Sequence, residues 1–242
     1  MLNKSKSSLN VYSSLKHGIF AFSKKEIIIP FLGFFIAYLL YIFFLLNIIV
    51  KYTYQIKTPY VPLFDGISII IGFLIVTLVS TFFGGIIIYF YSGRYKGILN
   101  MLKNLTKRFL TLYLVVLITG VLTIIGFILF FIPGAFLGVK FMFSQQEVLL
   151  NNKGVISSIR SSWIASKGWF WPQFRLFLII FLISLSAYIL STFSTGNGEL
   201  LLYLGKNFIV PLDIIISIFI AYSSVIGNVS VTDYFLRRKI HD

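Results

Sequence analysis

Long apolar runs constrain the fold of this chain more than any other feature of its sequence. A helix that crosses a bilayer needs about 20 mostly apolar residues, and backbone groups in lipid must form their hydrogen bonds within the segment. The runs therefore predict an all-α membrane protein, a bundle of six transmembrane helices. The predicted spans are about Ile27–Val50, Ile67–Tyr91, Phe109–Phe131, Ala135–Leu150, Trp169–Thr192 and Ile209–Val231.

Composition supports lipid as the solvent and indicates the kind of surface that the protein contacts. The 242 residues are 58% hydrophobic and 12% charged, whereas soluble domains carry about 25% charged residues. The net charge of +14 would suggest nucleic acid in a soluble protein, but here the bases flank the apolar runs. We therefore expect anionic membrane lipid as the partner, and no nucleic acid. The absence of cysteine excludes disulfide and thiolate chemistry.

Lysines and arginines lie mostly on one side of the predicted membrane. Sixteen fall in residues 1–25, 92–108, 151–168 and the tail 237–242, whereas three, Lys51, Lys57 and Lys206, fall in the intervening loops. Basic residues are retained in the cytoplasm, so this side is predicted to be cytoplasmic. The sequence thus predicts a multi-pass protein of the cell membrane, with a six-helix domain over residues 26–236 and both termini in the cytoplasm.

Three cytoplasmic segments have an apolar stripe at helical spacing beside basic residues: 1–25, 93–108 and 151–168. Each precedes a helix that leaves the cytoplasm, so we expect three helical hairpins, each introduced by an interfacial amphipathic helix. One alternative is that residues 1–25 form an unstructured tail. Another is that the three segments resemble one another only because cytoplasmic turns collect serine, threonine and lysine. The bases expected at this interface are Lys24, Lys103, Lys107, Arg108 and Lys167.

Ile132-Pro133-Gly134 separates the third and fourth spans. Proline and then glycine suit the central positions of a type II turn, because glycine accepts a positive φ. The tripeptide therefore predicts a tight hairpin, and the alternative is a kink within one helix.

Charged and polar residues within the spans form a predicted intramembrane seam. Counted from the helix ends, Lys140 and Asp213 share the outer leaflet, and Glu147 and Arg175 share the inner leaflet, which predicts two ion pairs between helices. Small and hydroxyl side chains lie at helical spacing on the same helix faces as these charged residues. The pairs and stripes either orient and pack the bundle or form a protonatable or solute-binding site. The seam comprises Lys140, Ser144, Glu147, Arg175, Asp213, Ser217, Ser224 and Asn228.

Signatures of catalysis are missing from the sequence. The two histidines, His17 and His241, lie in opposite tails and have no metal-ligand spacing. Neither a nucleophile elbow nor a phosphate-binding glycine loop is present. We therefore expect a protein that is not an enzyme and has no catalytic residue, cofactor or metal site.

Residues 131–172 resemble a membrane domain that occurs alone in uncharacterised prokaryotic membrane proteins and is fused to some glycerophosphodiester phosphodiesterases. The matching elements are Ile132-Pro133-Gly134, Lys140, Glu147, Ser162 and Lys167-Gly168-Trp169. The resemblance covers about 40 residues well and residues 20–190 only in architecture. It implies a related membrane fold. It implies no hydrolase activity, since that chemistry belongs to a separate soluble metal-binding domain.

These features favour a non-catalytic role as an accessory, scaffold or lipid-organising protein, with a membrane protein as a possible partner. The alternative is a small-solute permease that uses the Lys140/Asp213 seam.

Overall fold

The computed structural model describes residues 11–55, 63–93, 97–196 and 206–239, and all the regular structure within them is helical. Side chains at positions 42–55, 63–66, 68–69, 187–196, 206–213 and 239 lie outside the description. The helices are α1 (Val11–Ile19), α2 (Ile28–Gln55), α3 (Leu63–Ser92), α4 (Ile98–Leu129), α5 (Phe131–Phe141), α6 (Ser144–Asn151), α7 (Val155–Ala165), α8 (Phe170–Gly196) and α9 (Lys206–Lys239), with short 3₁₀ turns between α1 and α2.

Three stretches of the described helices are long and apolar enough to cross a membrane: Ile70–Ser92, Ile98–Leu129 and Ile214–Arg238. Helices α7 and α8 add a fourth if the pair, which bends by 111°, is counted as one broken span. The predicted all-α membrane fold is confirmed at this level.

The second predicted interfacial helix is not a separate element. The basic stretch before Phe109 is the first part of α4, which runs unbroken for 32 residues, about 48 Å. The hydrocarbon core is about 30 Å thick, so a helix of this length extends well beyond it. No residue near Arg108 breaks α4 because that stretch contains neither proline nor glycine.

The turn between α4 and α5 differs from the predicted type II turn at Pro133-Gly134. Phe130 alone breaks the helix, with extended backbone at φ −165° and ψ 158°. Pro133 lies in the first turn of α5, where its missing N–H leaves no hydrogen bond unmade. Gly134 lets the two helices approach closely, because a Cβ there would lie 2.4 Å from the ring of Phe127.

The predicted fourth span, 135–150, is two helices rather than one. The helix is interrupted at Met142 and Phe143, between α5 and α6. A serine of α7 bridges this break: the Ser162 hydroxyl donates to the Lys140 carbonyl at 2.7 Å and accepts the Phe143 N–H at 3.1 Å. One side chain thus satisfies two backbone groups that the break would otherwise leave unpaired.

Helices α1 and α7 bury several small or polar side chains, together with Leu15 of α1, and expose some of their large apolar ones. α1 buries Ser14 and Gly18 but exposes Tyr12, which is 71% accessible. α7 buries Ser158 and Ser162 and exposes Ile156 at 81%. Exposed apolar side chains beside the exposed Lys16 and Arg160 fit helices whose outer surface lies at the boundary between lipid and water.

One core cluster joins the segments that carry most of the basic residues. It contains Leu15 of α1, Tyr89 of α3, Met101 of α4, Leu149 of α6 and Tyr234 of α9, all buried. A second cluster packs Ile27, Phe34, Ile87 and Val225 together, and so fixes α2 against α3 and α9.

Candidate functional site

Lys140 is held among aromatic rings. Its side chain is buried, at 8% exposure, and Nζ lies 5.3 Å from the ring centroid of Phe136, 5.4 Å from Trp163 and 5.8 Å from Phe170. Rings at such distances attract an ammonium group through their negative faces. No acidic partner of Lys140 occurs among the side chains that the structure describes.

Glu147 has a partner other than the one that the sequence predicted. Its Oε2 lies 2.9 Å from Nζ of Lys153 and accepts a hydrogen bond of 2.6 Å from Asn151. Arg175, the predicted partner, is exposed on α8. Ser144 donates to the Phe141 carbonyl at 2.7 Å and thereby supports the α5–α6 break.

The geometry does not bring Lys140 to the depth of Asp213. Phe143, three residues after Lys140, stacks on Tyr234 with ring centroids 6.1 Å apart. Tyr234 follows Asp213 by 21 residues in the same helix, which is about 31 Å. The side chain of Asp213 lies outside the described residues, so the ion pair stays a prediction that this arrangement does not support.

A buried carboxylate that the sequence analysis did not single out joins three helices. Asp233 of α9 accepts hydrogen bonds from Ser14 of α1 at 2.6 Å and from Tyr91 of α3 at 3.0 Å, and it pairs with Arg237 at 2.7 Å. Nδ1 of His17 lies 3.0 Å from the same carboxylate and 2.9 Å from Arg237. A guanidinium only donates, so Nδ1 can satisfy one of these two contacts at a time. This cluster ties α1 to the bundle.

Between the helices lies a cavity of about 460 Å³, bounded by α2, α3, α4, α6, α8 and α9. Two members of the predicted seam, Ser224 and Asn228, line it, whereas Ser217 is buried elsewhere on α9. No charged side chain lines it in the described part of the chain. Its polar lining consists of Thr77, Ser80, Thr81, Gln145, Gln146, Ser184, Ser223, Ser224 and Asn228, and its aromatic lining of Phe34, Tyr38, Tyr41 and Phe73.

Four of the serine and threonine hydroxyls in this lining already donate their protons to backbone carbonyls. Thr77 donates to the Phe73 carbonyl, and Thr81 donates to the Thr77 carbonyl. Ser223 and Ser224 both donate to the carbonyl of Ile220. A hydroxyl has one proton and two lone pairs, so these groups present acceptor lone pairs to the cavity.

The predicted interfacial bases lie at the end of the bundle formed by the first core cluster. Lys103, Lys107 and Lys167 are exposed. The exposed Lys24 has its Nζ 5.1 Å from the ring centroid of Tyr91. Arg108 donates to the carbonyl of Asn152 at 3.1 Å, so it connects α4 to the α6–α7 turn as well as presenting charge.

Two elements of this site were missed from the sequence. The spacing of Asp233 and Arg237, four residues apart in one helix, was a visible signal of an ion pair. Gln146 gave no signal, because its role depends on which helices surround it. Within the described residues, no group of three or more histidine, aspartate or glutamate side chains could hold a metal ion.

No family model, curated protein or solved structure matches this chain. The resemblance of residues 131–172 to a known membrane domain therefore stays a prediction from the sequence.

Proposed function

We propose that this chain is a non-catalytic multi-pass protein of the cell membrane, which acts as an accessory, scaffold or lipid-organising protein. It has six spans arranged as hairpins, both termini in the cytoplasm, and a basic cytoplasmic end that contacts anionic lipid.

The observation that carries this proposal is the convergence of exposed bases and exposed apolar residues at one end of the bundle. Lys167 lies between Trp163 and Trp171, whose side chains are 37% and 69% exposed. At the start of α4, Lys103 is exposed near Leu99, which is 84% exposed. Alternating ring, alkyl and ammonium groups match the boundary between acyl chains and anionic headgroups.

The topology can be tested with single cysteines, since the natural chain has none. Cysteines at Lys57 and Lys206 are expected to react with an impermeant thiol reagent applied outside the cell. Cysteines at Lys103, Lys153 and Lys239 are expected to react only after the membrane is permeabilised. Outside labelling at Lys153 would contradict the six-span arrangement, because residues 151–168 would then lie on the wrong side.

Lipid contact can be measured at the native tryptophans, all three of which lie between residues 163 and 171. Brominated phosphatidylglycerol is expected to quench their fluorescence more than brominated phosphatidylcholine. A base near the surface contributes about 1 kcal/mol, so Lys167→Glu is expected to reduce this preference about fivefold. Lys51→Glu, on the predicted opposite side, is the matched control. Equal quenching by both lipids in the natural protein would contradict the proposal.

The second candidate function is a small-solute permease, and the uncharged polar cavity favours it. The seam that would serve it is the cavity wall of Ser224 and Asn228 rather than a Lys140/Asp213 pair. Uptake of a polar solute by vesicles that contain the purified protein, and not by empty ones, separates a permease from a scaffold.

A further inference from the structure

Gln146, which lines the cavity, has an occluded amide oxygen without a hydrogen bond, and the orientation of the amide follows from its neighbour. Gln146 is 2% exposed, and its Nε2 lies 3.3 Å from the Thr232 hydroxyl. That hydroxyl already donates its proton to the Asn228 carbonyl at 2.7 Å, so it can only accept from Gln146. The amide must therefore direct its NH₂ group to Thr232, which leaves Oε1 without a partner among the described residues.

A buried amide oxygen without a partner costs about 1–3 kcal/mol, so such groups are normally satisfied by protein, water or ligand. The other polar groups of the wall share its character, since Thr77 and Ser224 also present lone pairs. Ser80 supplies the opposite function, because its buried hydroxyl has no described partner and can donate. The wall thus offers several acceptors and at least one donor.

We propose that this cavity binds a small uncharged polyhydroxylic solute, such as a polyol or monosaccharide. Its hydroxyl groups would donate to Thr77 and Ser224, and a turn of the Gln146 and Ser80 side chains towards the solute would add an acceptor and a donor that this structure holds occluded. Its C–H face would pack on the rings of Phe34 and Tyr38 across the cavity. A charged ligand does not fit, because no opposite charge in the described lining would offset the loss of its hydration.

The volume agrees with this class. Ligand pockets commonly measure about 300–1,000 Å³, and a cavity of about 460 Å³ lies in the lower half of that range. This site deepens the permease candidate but does not require transport, since a solute could also be bound without crossing. The lipid-contacting role is independent of it.

The test is equilibrium binding of radiolabelled xylitol, myo-inositol and glucose to the full-length protein in nanodiscs, with choline and glutamate as charged comparisons. Saturable binding of at least one polyol, in preference to both charged solutes, is expected. Gln146→Leu removes one hydrogen bond, of about 1.4 kcal/mol, and is expected to weaken binding about tenfold. Thr77→Val, which keeps the shape of the side chain, is expected to weaken binding several-fold. This variant tests the site if Gln146→Leu does not fold.

Gln173→Leu is the matched control. Gln173 is fully buried on α8 and its amide also lacks a described partner, but it does not line the cavity. Its substitution is expected to leave binding unchanged. The proposal is overturned if none of the three polyols binds, if the charged solutes bind equally well, or if Gln173→Leu weakens binding as much as Gln146→Leu. Binding without uptake into vesicles would keep the site and eliminate the permease. The lipid-quenching result does not depend on either outcome.

Discussion

Replacing Asp233 with alanine is expected to lower the free energy of unfolding by about 3 kcal/mol. The carboxylate is 9% exposed and bonds Ser14, Tyr91 and Arg237, so its loss leaves a cation and two hydroxyls without their acceptor. Removing one partner of a buried ion pair costs about 3–5 kcal/mol. The lower end applies because Arg237 is one-third exposed and water can solvate it. Unfolding in mixed detergent micelles measures the loss.

The same substitution is expected to loosen α1, because Ser14 and His17 contact Asp233 itself and Ser13 accepts a hydrogen bond from Arg237, the cation that Asp233 holds in place. Hydrogen exchange of amides 11–19 should then accelerate more than exchange elsewhere. Asp233→Asn keeps an acceptor and should have an intermediate effect. Glu26→Ala, which removes an exposed acid, is the control. If Glu26→Ala lowers the free energy of unfolding as much as Asp233→Ala, the Asp233 cluster does not hold α1 against the bundle.

Sequence reasoning succeeded where a single segment determines the outcome. Apolar length predicts helices, and the all-α class is confirmed. It failed where a helix break shifts everything that follows. Counting residues from Ala135 assumed one straight helix, whereas the break at Met142 and Phe143 is stabilised by Ser162, which comes from a later helix. Lys140 comes before this break, and the depth predicted for it assumed that the same helix continued to Leu150, whereas Lys140 lies in the last turn of α5.

The cavity shows the same limit on a larger scale. The stripe that contains Ser224 and Asn228 was visible in the sequence, and so were Thr77 and Thr81 of another helix. A stripe of small and hydroxyl residues does not by itself show whether the neighbouring helix packs directly against it or leaves a cavity beside it. Here the stripes of α3 and α9 border the cavity together with α6, and only their arrangement in space makes a binding site of them.

Gly126→Leu is expected to separate α4 from α5 and to lower the free energy of unfolding by about 3 kcal/mol. A Cβ at position 126 would lie 2.9 Å from Cα and 3.0 Å from the backbone nitrogen of Gly134. Small residues at such crossings let backbones approach, and overpacking costs about 1–3 kcal/mol. The upper end applies because the obstacle is backbone, which cannot move to another rotamer. Unfolding in mixed micelles again measures the change.

Gly120→Leu is the matched control in the same helix. A Cβ at Gly120 meets nothing within 4 Å, and leucine favours helix over glycine by up to about 1 kcal/mol in soluble hosts. The two substitutions are therefore expected to have opposite signs, although both replace glycine with the same residue in α4. If Gly126→Leu is as well tolerated as Gly120→Leu, the close approach of Gly126 to Gly134 does not hold α4 and α5 together. Helices α4 and α5, joined by the single residue Phe130, would then depend on their other contacts, among them the contact between the rings of Phe127 and Phe131.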